Sequence, residues 1–186
     1  MRLWEVQLEV YRPFNTMPCP QIIVEEMQVG PEYHIGPRPT NTGGQFSLTL
    51  SGEGRFKRGE KEYVLTPGCG FLHNHFDVST SYWYPETSRQ PWVFLWIAFD
   101  GKAVEEMIAD MVARYGSFYD LGPDGGDVTQ ILRSWQRYRS SVQVLSPPEG
   151  AELTTSIFAE LAASVEAGTE AAPGNRLVRK AQQIVM

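Results

Sequence analysis

A chain of 186 residues, 42% of them apolar, suits one domain with a real core and is unlike a disordered segment. It has no apolar run long enough to span a membrane, and its N-terminus, MRLWEVQLEVY, alternates, carries Glu5 and Glu9, and is unlike a signal peptide. The net charge of −6 is unevenly spread: the last twelve residues hold Arg176, Arg179 and Lys180 and no acid, leaving the preceding 174 with 13 bases, 22 acids and a net of −9, a surface that repels a phosphate backbone. Two cysteines, Cys19 and Cys69, make no disulfide framework and point to reduced thiols in a cytoplasmic protein.

The first hundred residues read as strands. Alternating or apolar runs occur at Leu3–Tyr11, Ile22–Val29, Phe46–Leu50, Gly54–Lys57, Glu62–Leu65, Gly70–His73, Val78–Tyr84 and Trp92–Phe99. Arg58-Gly59-Glu60-Lys61 separates two of them as a hairpin turn, and Thr66-Pro67-Gly68 marks another turn. Short strands with frequent turn signals predict a sandwich or small barrel. In Val78–Tyr84, Tyr82 and Tyr84 share one face, opposite Trp83, and offer phenol hydroxyls to a ligand. The run Trp92–Phe99 divides at period two: Trp92, Phe94, Trp96 and Ala98 share one face, Val93, Leu95, Ile97 and Phe99 the other. A strand this apolar is buried on both sides. Its aromatic face suits the wall of a ligand pocket, and its aliphatic face suits a bed for helices.

The second half reads as helical. In Gly101–Tyr115, Val104, Met107, Ile108, Met111, Val112 and Tyr115 form one stripe, closed by Gly116. In Asp127–Leu145 the stripe is Val128, Ile131, Leu132, Trp135, Tyr138 and Val142, with Asp127 as N-cap. In Glu149–Ala167 it is Leu153, Ile157, Phe158, Leu161 and Val165, ended by Gly168. Residues 169–174, TEAAPG, have linker composition. Asn175 then caps a new amphipathic helix whose apolar face has nothing after it to bury it, and residues 175–186 read as the truncated start of a further domain.

Leu48–Gly54 (LTLSGEG), Tyr63–Gly68 (YVLTPG), Phe71-Leu72 and above all Pro91–Gly101 (PWVFLWIAFDG) resemble the N-terminal sensor domain of AraC-type transcriptional regulators over about residues 35 to 170. The terminal NRLVRKAQQIVM is similar to the start of that family's helix-turn-helix domain. The chain departs from the pattern at Cys69, where the family has Asp, and at residues 73–77, HNHFD, where a proline-containing turn is usual. The resemblance implies an α+β fold: a cupin-like antiparallel β-barrel of jelly-roll type at 1–100, then a helical dimerisation segment packed on it at 101–168. It implies a homodimer that binds a small effector, a sugar or sugar derivative, and meets promoter DNA only through the helix-turn-helix domain. It also implies that Trp96 and Phe94 face the effector, with Trp92 beside them, and that Arg38 offers its guanidinium fork to hydroxyls or a carboxylate. Effector binding is expected to close the barrel mouth and order Met1–Gln21. For dimerisation the anchors expected are Trp135 and Tyr138, with Ile131 and Val142 on the same stripe.

His73 and His75 form an H-x-H, spaced to grip a metal from one strand, with His34 the remaining histidine. A metal cupin also wants a glutamate four to five residues later, and the next one is Glu86. They therefore read as turn or surface histidines, and no cofactor is expected. A metal-dependent cupin enzyme, an isomerase or dioxygenase using His73 and His75, is the alternative. No G-x-S-x-G, Cys–His pair or phosphate-cradling loop supports nucleophilic or nucleotide chemistry.

Overall fold

The structure, a computed structural model, describes residues 1–171. The strands are β1 (Arg2–Val10), β2 (Cys19–Gln28), β3 (His34–Ile35), β4 (Gly44–Ser51), β5 (Gly54–Arg58), β6 (Lys61–Leu65), β7 (Cys69–Asn74), β8 (Thr80–Trp83) and β9 (Trp92–Asp100). After these come helix α1 (Lys102–Tyr115), strand β10 (Phe118–Asp120), helix α2 (Gly126–Ser134), a 3-10 turn at Trp135–Tyr138, strand β11 (Ser141–Leu145) and helix α3 (Pro147–Ala171).

The strands form two sheets, one of seven in the order β10-β7-β4-β9-β2-β1-β11 and one of four in the order β3-β8-β5-β6. Among the described residues every pairing is antiparallel except β1 with β11, which runs parallel with Val6 opposite Ser141 and Val10 opposite Leu145. The fold is α+β and cupin-like, in three layers: helices, the large sheet, the small sheet. The two sheets face each other as an open sandwich, and no ladder closes them into the expected barrel among the described residues. The β5–β6 hairpin turns where expected, with Gly59 at φ 59°, a value that L side chains rarely adopt.

Alternation along β9 sets the layering. Leu95, Ile97 and Phe99 are fully buried against Val104 and Ile108 of α1, Leu132 of α2, and Ile157 and Phe158 of α3. Trp92 and Phe94 point the other way, between the sheets, into a second core with Phe56, Leu65, Phe71 and Tyr82. A β-carbon on Gly54 would run into the Trp92 ring, so the small sheet approaches the large one there only because that residue has no side chain.

Several expectations change. Helix α2 opens at Gly126 with Gly125 at its N-cap, and Asp127 instead accepts a 3.3 Å hydrogen bond from Gln130 Nε2. The helix expected over Asp127–Leu145 ends at Ser134. Ser140 takes φ 61°, and Ser141–Leu145, with two β-branched valines, joins the sheet as β11. Segment 101–168 thus supplies two strands as well as helices. Helix α3 runs past Gly168 to Ala171, into the expected linker. The rest of that linker and the helix expected at 175–186 lie outside the described residues. The N-terminal segment expected to wait for an effector is already paired: Arg2–Val10 lies between β2 and β11.

Candidate functional site

The inner face of the large sheet is laid out by register. On β9, Trp96 lies between Val24 of β2 and Ser47 of β4, Phe94 between Glu26 and Thr49, and Ala98 opposite Gln45. Across β4, Gln45 pairs with His73 and Ser47 with Phe71 of β7. Gln45, Ser47 and Thr49 are therefore a row of polar side chains aimed at the small sheet, and all three are buried. From the opposing sheet come Tyr82, opposite Phe56 of β5 and Ile35 of β3, and Tyr33 just before β3.

Part of this cleft is filled by its own aromatics. Trp92 and Phe94 are fully buried and stacked with centroids 4.2 Å apart. The Trp92 Nε1–H donates to Thr49 Oγ1 at 3.0 Å, and Phe56 stacks on Phe71 at 4.4 Å. Trp92 and Phe94 are thus packed core rather than free wall. Tyr84 is buried too, and its hydroxyl donates to the Gln90 carbonyl at 3.0 Å, which ties its own loop.

The remaining candidates sit together. Trp96 is half-buried, its Nε1–H donates to Glu26 Oε2 at 2.9 Å, and the Arg2 guanidinium lies 5.9 Å from its ring centroid. The Tyr82 hydroxyl lies by the Gln45 and Tyr33 side chains; burial raises its pKa, and the Arg38 charge pulls the other way. Tyr33 is raised strongly, by burial first and then by Tyr82 and Glu26. Arg38 is itself exposed, yet its charge reaches Tyr33, Tyr82, His73 and His75. Sequence reasoning missed Tyr33, Glu26 and Gln45. The alternation of Gln45, Ser47 and Thr49 in GQFSLTLS was the available signal, but a polar face reads the same whether it meets water or a cleft.

His73 is buried on β7, not a turn or surface residue. Its Nδ1 lies 3.2 Å from Thr80 Oγ1. Thr80 donates its one proton to the Asp77 carbonyl at 2.9 Å, so its oxygen accepts, and the His73 proton sits on Nδ1. That leaves Nε2 as a buried lone pair with no partner among the described residues. Burial, with help from His75, pushes the His73 pKa down to about 3. Burial also lowers His75, whose ring centroid is 5.8 Å away and whose Nδ1 lies 3.0 Å from the Thr42 carbonyl. Among the described residues, no three His, Cys, Asp or Glu side chains converge to hold a metal ion. A groove of about 440 Å³ runs between α1 and the β7–β8 turn, with Phe76, Asp77, Ile108 and Val112 among its walls.

The expected dimer anchors part company. Ile131, Trp135 and Tyr138 are half-buried against the helix-side core, while Val142 stands exposed on β11. Among the described residues no helix is long and apolar enough to cross a membrane.

The profile of the AraC-like ligand binding domain family matches residues 28–182. The solved structure of the AraC-like transcriptional activator CuxR superposes with a TM-score of 0.53 at 10% identity, over 82% of this chain and 53% of its own, so this chain spans about half that protein's length. YhaK from Escherichia coli gives a TM-score of 0.40 at 16% identity over 54% and 45% of the two chains. The cobalt(II) form of HppE gives 0.33 at 20% over 45% and 46%, and neither of these two likenesses carries weight. No curated protein sequence matches the chain. By a profile match over most of its length, and with a helix-backed two-sheet fold shared with an AraC-like activator, the chain belongs to the AraC-like ligand-binding domain family.

Proposed function

We propose that this domain is the effector sensor of a cytoplasmic, homodimeric transcription regulator. It binds a sugar or sugar derivative between its sheets and so controls DNA binding by a helix-turn-helix domain C-terminal to it. The observation that carries this reading is the setting of Trp96. Its half-buried ring lies on the same cleft as a set of neutral and charged hydrogen-bonding groups: Tyr33, Tyr82, Gln45, Glu26 and the Arg38 charge. A flat indole beside such groups suits a ligand with one apolar face and a rim of hydroxyls. Trp92 and Phe94, packed between the sheets on the same face of β9, fill the space beside that wall. The effector acts by binding one arrangement of the domain better than another, and the shift it produces equals that difference in affinity. The sensing role needs no bond-making step, and the domain is proposed as a non-enzyme.

The test is thermal unfolding of the intact chain against neutral pentoses and hexoses, sugar acids and aromatic acids, each with and without EDTA. A ligand at a hundred times its Kd stabilises the native state by about 2.7 kcal/mol. The expected result is a shift with one sugar class, unaffected by EDTA and lost in Trp96→Ala and Arg38→Ala. A shift that both variants retain would move the site elsewhere. No shift with any compound, together with a fall on adding EDTA, would favour a metal enzyme built on His73 and His75.

A further inference from the structure

We propose that β11 is a self-association edge: two copies of this chain join β11 to β11, antiparallel, about a two-fold axis at Gln143. This names the surface for the homodimer proposed above. The two sheets have four edge strands among the described residues, and three of them are guarded. β10 has three residues and ends in Asp120, β3 has two residues, and β6 opens with Lys61-Glu62. Short or charged edges are how sheets avoid pairing with other chains. β11 has five residues, SVQVL, and carries no charge and no proline.

Its free backbone groups are self-complementary. The Leu145 carbonyl accepts from Tyr11 N–H at 2.8 Å, so the peptide groups of Leu145 face β1. By the alternation of a strand, those of Ser141 and Gln143 face β1 as well, and those of Val142 and Val144 face outward. The Val142 carbonyl accordingly meets only a long 3.3 Å bond from the adjacent Gln143 side chain among the described residues. In an antiparallel pair centred on Gln143, Val142 of one copy faces Val144 of the other, twice over. Each such pair exchanges both its N–H and its C=O, so all the outward groups are satisfied. The side chains of Val142 and Val144 are 57% and 65% exposed and would meet as cross-strand valine pairs. Charge agrees with the same orientation: exposed Arg137 and Arg139 precede the strand and Glu149, whose carboxylate accepts from Ser146, follows it, so antiparallel pairing brings the basic end of one copy to the acidic end of the other. A strand of another protein would match this edge only by chance, whereas a second copy matches it by symmetry.

The test is sedimentation of the intact chain in three forms: wild type, Val144→Pro, and the double variant Val142→Lys/Val144→Lys. Val144→Pro removes an N–H that β1 does not use, and proline is tolerated on edge strands. Lysine on the exposed face should leave the fold intact even if proline does not. The expected result is a wild-type dimer and monomeric variants with unchanged far-UV circular dichroism. In the wild type, amide exchange at Val142 and Val144 should be slower by on the order of tenfold or more at high than at low protein concentration. A wild-type monomer would overturn both the edge and the homodimer. A dimer that survives in both variants would keep the homodimer and remove β11 from it.

Discussion

Acidifying from pH 7 to pH 5 should weaken this fold chiefly through His73. Its folded pKa is pushed down to about 3 by burial, with the ordinary value at 6.5. Between those two values the unfolded chain takes up a proton that the folded chain refuses, so stability falls as pH falls through that window. Each pH unit below the unfolded pKa is worth about 1.4 kcal/mol, so the loss at pH 5 is about 2 kcal/mol. For a domain of this size that lowers Tm by roughly 4–8 °C. His75 is also lowered by burial and adds a loss of the same sign; Asp77 is lowered from 3.8 and acts only at more acid pH. The assay is thermal unfolding by circular dichroism at both pH values, in wild type and in His73→Gln. Glutamine keeps the hydrogen bonding and cannot titrate, so most of the pH 7 to pH 5 difference should vanish and the His75 share remain. An equal loss in His73→Gln and wild type would refute the reasoning.

Four further outcomes follow from the packing. Gly54→Val should drive its methyl groups into the Trp92 ring and cost about 1–3 kcal/mol, measured by urea unfolding. Phe94→Ala should cost about 3–5 kcal/mol because Phe94 is core. Half-buried Trp96→Ala should cost about 2 kcal/mol or less, and equal losses at the two positions would erase the distinction between packing and wall. Trp135→Glu should destabilise the folded chain by about 2–3 kcal/mol, since it sets a carboxylate against the helix-side core. A variant with wild-type stability would place Trp135 on a free surface.

How much of this was legible depended on where one periodicity stood alone. Trp92–Phe99 alternates without interruption, and its two faces meet two different layers as the pattern predicts. The stripe from Val128 to Val142 carried two signals at once. Helical spacing held through Tyr138, but Val142 and Val144 are β-branched and two apart, and the left-handed Ser140 between the two signals leaves no mark in composition. The cleft was harder still. Trp96, Tyr82 and Arg38 were legible as types suited to a ligand, whereas the duty of Trp92 depends on a partner far along the chain, Thr49, and Tyr84 is claimed by the Gln90 carbonyl of the loop that follows it. Tyr33 and Glu26 become neighbours of that cleft only through the pairing of β2 with β9 and β3 with β8.

The parallel pairing of β1 with β11 sets an order on folding. β1 can form a ladder with β2 as soon as the chain has passed Gln28, but its other edge has no partner until Ser141–Leu145 has been made. On a ribosome adding about 5–20 residues each second, that edge stays open for several seconds. Closing it joins segments from opposite ends of the described chain, a contact of long sequence separation that forms late and slowly. The half-made domain therefore exposes a row of unpaired β1 backbone groups, and the interval before β11 arrives is when it is most vulnerable to misassociation.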